Sequence, residues 1–174
     1  MGAIVQIRLV IGFAMAAFGL FFSTAVPAAA PPAANGLIIN VPVRLKEAKV
    51  VFNLDHLAFE GDEPTGLEFL HDMITRFRTD GTKAELVAIF HGDAGYMVLD
   101  DAAYDSVRNW QGGNPYKDQI AELMRQGVDI EECGETMATN HWTNAELLSG
   151  VKVNTGANFR IVQLAQEGFI QLQP

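Results

Sequence analysis

Two stretches of this chain are apolar on nearly every consecutive position: Lys49-Val50-Val51-Phe52-Asn53-Leu54 and Glu85-Leu86-Val87-Ala88-Ile89-Phe90. A strand enclosed on both faces reads this way, whereas a half-exposed strand alternates. Between the two runs, Leu67, Leu70, Ile74 and Phe77 recur at helical spacing, and Thr79-Asp80-Gly81 ends that helix. Gly61 to Gly66 is a turn cluster before it. Asp55-His56 closes the first run and His91-Gly92 the second.

The same alternation continues downstream. Ala102–Trp110 and Tyr116–Gln126 carry helical patterns, separated by the loop Gln111–Pro115. A short strand runs from Val128 to Cys133. Thr136 to His141 begins a further helix and Asn144 to Leu148 a turn. Val151-Lys152-Val153 is a strand, Thr155-Gly156-Ala157 opens a last helix, and Phe169-Ile170-Gln171-Leu172 is a final strand. Alternating strands and helices predict an α/β layer structure whose mostly parallel sheet has about five strands. Leu37–Val43 is apolar and reads as a short edge segment, because Pro42 bars it from the middle of a sheet.

Met1 to Ala30 differs from the rest. Arg8 is its only charge, Leu9–Phe22 is apolar, and small residues follow at Ala25–Ala30. This is the order of a secretory signal, with cleavage expected after Ala28. The apolar run falls short of the roughly 20 residues of a spanning helix. The expected division is therefore a signal peptide over 1–28, a tether and edge segment over 29–46, and a folded domain over 47–174. The mature protein would work in a bacterial periplasm or outside the cell, with no stable membrane insertion after cleavage.

The 174 residues carry a formal net charge of −9, and no basic patch interrupts it. Such a surface repels nucleic acid. A single cysteine rules out an intramolecular disulfide and any CxxC site.

That cysteine, Cys133, follows a strand and precedes Gly134. In a parallel sheet the carboxyl ends of the strands share one edge, where ligands gather. Asp55, His56, His91 and Cys133 would meet there. Gly134 would let a substrate approach the backbone closely. A helix starting at Thr136 would favour a thiolate through its N-terminus, whereas Glu131, Glu132 and Glu135 would oppose one by repulsion. Both readings of Cys133 stay open: a reactive thiol, or a small buried hydrophobe. Cys, His and carboxylate also suit zinc or copper, but no H-x-x-x-H or similar spacing supports a metal.

The remaining candidates are weaker. Asn154-Thr155-Gly156-Ala157-Asn158 could bind an anion through backbone N–H groups, yet it lacks a nucleotide-binding pattern. Ser106 and Ser149 have no paired base. Trp142 reads as core, pocket mouth or interface, and Tyr96–Leu99 as core or interface. His71 reads as a surface position, and Asp100-Asp101 and Glu131-Glu132 as solvated acidic positions.

Three stretches together resemble the DsrE/DsrF-like family. They are Val87-Ala88-Ile89-Phe90-His91-Gly92, then Gln126-Gly127-Val128 running into Cys133-Gly134-Glu135-Thr136-Met137, and Leu147–Pro174 with its Leu-x-Gly-Val-x-Val and Gly-Phe-Ile patterns. The resemblance implies a flavodoxin-like, doubly wound sheet with helices on both faces. It implies homo-oligomers (dimer, trimer or hexamer) and a cysteine that carries sulfur as a persulfide. On this footing Cys133 and His91 are the expected reactive pair, with Gly92, Gly134, Thr136, Asp55 and His56 around the substrate. No organic cofactor or metal is expected. The partner would be a sulfur donor or acceptor protein, or a small thiol. The alternative is a non-catalytic oligomeric module holding a metal ion or small ligand at the strand ends. Unlike the familiar sulfur carriers of the family, this chain carries an export signal.

Overall fold

The computed structural model describes residues 36–174. The expected signal peptide, its cleavage after Ala28 and the tether to Asn35 lie outside the described residues. Gly36–Pro42 belongs to one unit, and Val43–Pro174 forms the other. Leu37–Val43 forms no strand: its residues are exposed coil and enter no ladder. An apolar run without a neighbour for its backbone groups gains nothing from extending as a strand.

In the second unit the elements run β1 (Glu47–Leu54), β2 (Phe59–Glu60), β3 (Glu63–Pro64), α1 (Thr65–Asp80), β4 (Lys83–Phe90), a 3₁₀ segment (Gly92–Val98), α2 (Asp101–Arg108), α3 (Lys117–Arg125), β5 (Val128–Cys133), α4 (Gly134–Asn140), a 3₁₀ turn (Asn144–Glu146), β6 (Lys152–Asn154), α5 (Ala157–Gln166) and β7 (Ile170–Leu172). β2 and β3 pair antiparallel as a minimal hairpin whose turn and second strand fall in the expected turn cluster. The main sheet has five strands in the order β6-β5-β4-β1-β7, all parallel. The apolar runs of the sequence are its two central strands.

Strand parity sorts the core into two layers. Val50, Phe52, Leu54, Leu86, Ala88, Phe90, Val128 and Ile130 face α1, α3 and α4, packing on Leu67, Leu70, Ile74, Ile120, Leu123 and Met137. Val51, Val87, Ile89 and Cys133 face α5, packing on Ala157, Ile161 and Leu164. Helices thus cover both faces, as a doubly wound fold requires. Tyr96–Leu99 and Trp142 belong to the first layer, so core packing explains them.

Local signals set the element ends. Gly81 takes the left-handed conformation at φ 70°, and the N–H groups of Gly81 and Thr82 bond Arg78 and Phe77 carbonyls, closing α1. Asp100 caps α2 by accepting from the Ala103 N–H at 2.8 Å, so it is a structural acid rather than a merely solvated one. Among the described residues no helix is long and apolar enough to cross a membrane.

Register fixes what meets at the carboxyl edge. Leu54 lies level with Phe90, Phe90 with Glu132, and Cys133 with Asn154. The chain leaves β5 into α4 on the first face and leaves β6 into α5 on the second. The outgoing connections therefore part between β5 and β6, where a crevice forms. Cys133 stands at that parting.

Candidate functional site

Cys133 ends β5, and its side chain points to the α5 face. α4 begins at Gly134, two residues before the expected start, so Cys133 is itself the N-cap of that helix. Its Sγ also accepts the N–H of Ala157, the first residue of the ten-residue α5, at 3.3 Å. One helix N-terminus, that of α5, therefore points its amide at the sulfur, while the Cys133 side chain makes no cap bond to α4. An N–H donor at the positive end of a helix suits an anionic atom. The turn Asn154–Asn158, read from the sequence as a possible anion binder, presents its amide to the cysteine. Cys133 is 3% exposed and forms the floor of an open cleft of about 450 Å³.

His91, Gly92, Thr136, Asp93, Glu135, Thr139, Asn140, Ala157 and Asn158 line the same cleft. His91 and Cys133 thus share one site, as parallel strand ends allow. The His91 Nε2 lies 2.7 Å from Asn53 Oδ1. In the tautomer that donates this proton, Nδ1 is an acceptor. Burial holds His91 below its ordinary pKa, while the Asp55 charge opposes this. Asn53 interrupts the apolar second half of β1 one residue before its end. That interruption was the available signal for a polar partner.

Gly92 has φ 54°, and a Cβ there would lie 2.9 Å from the Asp55 carbonyl oxygen. Its N–H donates to Thr136 Oγ1 at 3.0 Å, joining the end of β4 to the first turn of α4. At Gly134 a Cβ would lie 2.7 Å from the Asn154 carbonyl oxygen. The close approach that Gly134 permits is therefore to β6.

Asp55 and His56 stand beside this group, outside the cleft lining. His56 Nδ1 lies 2.6 Å from Asp55 Oδ1, and Gln173 Nε2 donates to the same oxygen at 3.0 Å. The bond from His56 draws the Asp55 carboxyl below its usual range, against an opposing effect of burial. His56 lines a separate small cavity with Leu57, Phe59 and Pro174. Asp55 reaches the site through the charge it places near His91. Among the described residues, no group of three His, Cys, Asp or Glu side chains could hold a metal ion.

The acidic flank differs most from its sequence reading. Glu131 and Glu132 are buried, at 4% and 0% exposure, not solvated. Glu131 lies on the α5 face, where Arg160 Nε donates to Oε1 and Oε2 at 3.0 and 3.1 Å and Nη2 to Oε1 at 2.9 Å. Glu132 lies on the other face, with no hydrogen-bond partner for either carboxyl oxygen. Burial, and then the neighbouring Cys133, push its pKa up to about 9. Of the three glutamates only Glu135 is exposed, and its carboxyl packs over Gly156. Arg160 and Ala157 are the site residues that sequence reasoning did not single out by role.

The DsrE/DsrF-like family model matches residues 38–174. Among solved structures, the chain is similar to the protein of unknown function MTH1491 from Methanobacterium thermoautotrophicum, at 20% identity and a TM-score of 0.57, over 73% of this chain and 99% of that one. It is also similar to the ychN protein from E. coli, at 16% identity and a TM-score of 0.52, again over 73% of this chain and 99% of that one. These likenesses carry the fold. No curated protein matches the chain.

Proposed function

The chain belongs to the DsrE/DsrF-like family, a family of the sulfur-relay type, and from that premise we propose that it binds or relays sulfur with Cys133 as the carrier. The observation that supports this most is the sulfur of Cys133 at a helix N-terminus, accepting from Ala157 on the floor of a cleft it shares with His91. A persulfide ionises more readily than a thiol; its charge would sit on the outer sulfur, one S–S bond beyond the Sγ that the amide meets, at the positive end of α5.

The transfer needs one cysteine. The Cys133 thiolate attacks the outer sulfur of a donor persulfide, R–S–SH. The donor S–S bond breaks and its electron pair stays on the inner sulfur. That sulfur takes the proton of the transferred group and leaves as a thiol, R–SH. Cys133 is left as a persulfide anion, and no oxidant or reductant is consumed. His91, neutral at the cleft wall, would take the thiol proton beforehand through its free ring nitrogen. Thr136 and Gly92 shape the wall, and Gly134 sets the distance to β6. Asp55 and His56 act from outside the cleft. The partner would be a donor or acceptor protein or a small thiol, with no organic cofactor.

Export and self-assembly rest on features outside the site. Export through a cleaved signal peptide would place the protein in the periplasm or outside the cell. N-terminal sequencing of the protein from a periplasmic fraction should then begin at Ala29; a chain retained in the cytoplasm with Met1 intact overturns this. Homo-oligomerisation follows the family, and the exposed Phe159 and Val162 on α5 offer apolar surface for it. Light scattering that finds a monomer at micromolar concentration overturns it.

Intact mass tests the central claim. After incubation with polysulfide or thiosulfate, the protein should gain the mass of one sulfur atom, and Cys133→Ser should gain none. A folded protein that gains nothing at any pH is not a sulfur carrier.

A further inference from the structure

Glu132 has no part in the transfer just described, yet it is the most anomalous group in the fold. It is fully buried, and neither carboxyl oxygen has a hydrogen-bond partner. An ionised carboxylate in that state is strongly unfavourable. The surroundings are shaped to its outline. A Cβ on Gly95 would lie 2.8 Å from Glu132 Oε1, 2.9 Å from Thr136 Cγ2 and 3.3 Å from the Trp142 ring, so all three side chains meet over that glycine. Thr136 turns its methyl toward this cage, while its hydroxyl accepts from Gly92 in the cleft wall. Thr136 thus borders both the buried acid and the cleft.

The elements packed around β5 carry other titratable groups: Asp93 and Tyr96 on the 3₁₀ segment, Glu135 on α4 with His141 just past it, and Glu131 with Arg160 on the opposite face. Of all these neighbours, the group whose charge acts on Glu132 is Cys133. Two anions on adjacent residues of an enclosed strand end are unfavourable in a low dielectric, so one of them stays protonated.

We infer that Glu132 is a positioning residue of the sulfur site: caged uncharged behind the cleft wall, it shares at most one negative charge with the Cys133 sulfur and leaves that charge to the sulfur. Its meaning rests on Cys133 being the carrier, but its test does not. Carbon-13 NMR of the glutamate side-chain carboxyls, across pH, reads the titration directly on the purified protein. One glutamate should remain protonated at neutral pH, and in Cys133→Ser its midpoint should fall by about one pH unit or more, the scale of two charges within about 12 Å at an effective dielectric near 20. All glutamates ionised at neutral pH, or an unmoved midpoint in Cys133→Ser, overturns the inference. In a protein that takes up sulfur, wild-type loading should fall as Glu132 ionises above about pH 9, whereas Glu132→Gln should keep loading there. Coupled titration without any sulfur uptake overturns the carrier reading alone.

Discussion

Arg160 grips Glu131 through both carboxylate oxygens, and the pair lies on the sheet face that carries Cys133. Asn154 Nδ2 donates to the same carboxylate at 3.1 Å. The glutamate side chain is 5% exposed and the arginine 24%, so water screens the pair little. Removing one partner strands a buried charge. Arg160→Ala should cost about 3–5 kcal/mol in urea unfolding. Arg160→Lys should fall between, because an ammonium keeps the charge but loses the planar fork. An unchanged unfolding midpoint in Arg160→Ala would show that the pair contributes nothing.

His91 makes a pH prediction with a definite sign. Burial lowers its pKa in the folded state, and Asp55 offsets this in part. As pH falls below the unfolded histidine value of about 6.5, the unfolded chain takes up a proton before the folded one does. Stability from the neutral ring is therefore complete above that value and is lost as pH falls through the folded pKa. His91→Asn should flatten this acid limb below the unfolded histidine value. Asp55→Asn should lower the NMR titration midpoint of His91 further, since it removes the group that opposes the shift. A rise in that midpoint would contradict the geometry.

Three glycines separate conformation from crowding. A side chain at Gly92 would meet both a left-handed backbone and the Asp55 carbonyl, and one at Gly134 would meet the Asn154 carbonyl. Neither carbonyl can step aside easily: Asn154 ends β6, and the Asp55 oxygen accepts the Asp93 N–H. Gly134→Ala should cost about 1–3 kcal/mol through overpacking, and Gly92→Ala more, with left-handed strain of about 1–2 kcal/mol added. Gly81, at φ 70° with nothing within 4 Å of a built Cβ, is the control that carries conformational strain alone. If Gly134→Ala is as stable as wild type, β6 is not packed as described.

The fold was legible because this chain marks its strands twice, by apolar runs and by the polar residues that close them. Parallel pairing then places Leu54, Phe90 and Glu132 level, which is why His91 and Cys133 could be brought together from sequence. The charges were less legible. Glu131-Glu132 reads as a solvated pair until strand parity is applied: between Ile130 and Cys133, in a strand covered on both faces, each must point into a layer. What neutralises each is not local. Arg160 lies 29 residues downstream in sequence, and the Gly95 cage belongs to a segment whose 3₁₀ winding has no periodic signature. His56 shares the strand edge but turns toward another cavity, a consequence of loop conformation that register does not determine.

The amide of Ala157 gives the sharpest test of how the sulfur is held. Ala157 is the first residue of α5, where an N–H has no partner within the helix and proline fits. Gly156 before it is extended, at φ −179° and ψ 133°, the conformation a following proline prefers. Ala157→Pro therefore removes the donor to Cys133 Sγ and leaves the helix able to form, but its ring Cδ takes the place of the N–H and crowds the sulfur, so the variant removes both the bond and part of the sulfur's room. Ala157→Gly retains the N–H and controls for the lost methyl in this buried position. A charge-assisted hydrogen bond of about 1.5 kcal/mol or more would shorten the lifetime of the sulfur-loaded state by roughly tenfold or more in Ala157→Pro, followed by intact mass after removal of the donor. Circular dichroism checks that α5 persists. A proline variant that is folded and holds its sulfur as long as wild type would mean that the helix N-terminus does not hold the sulfur.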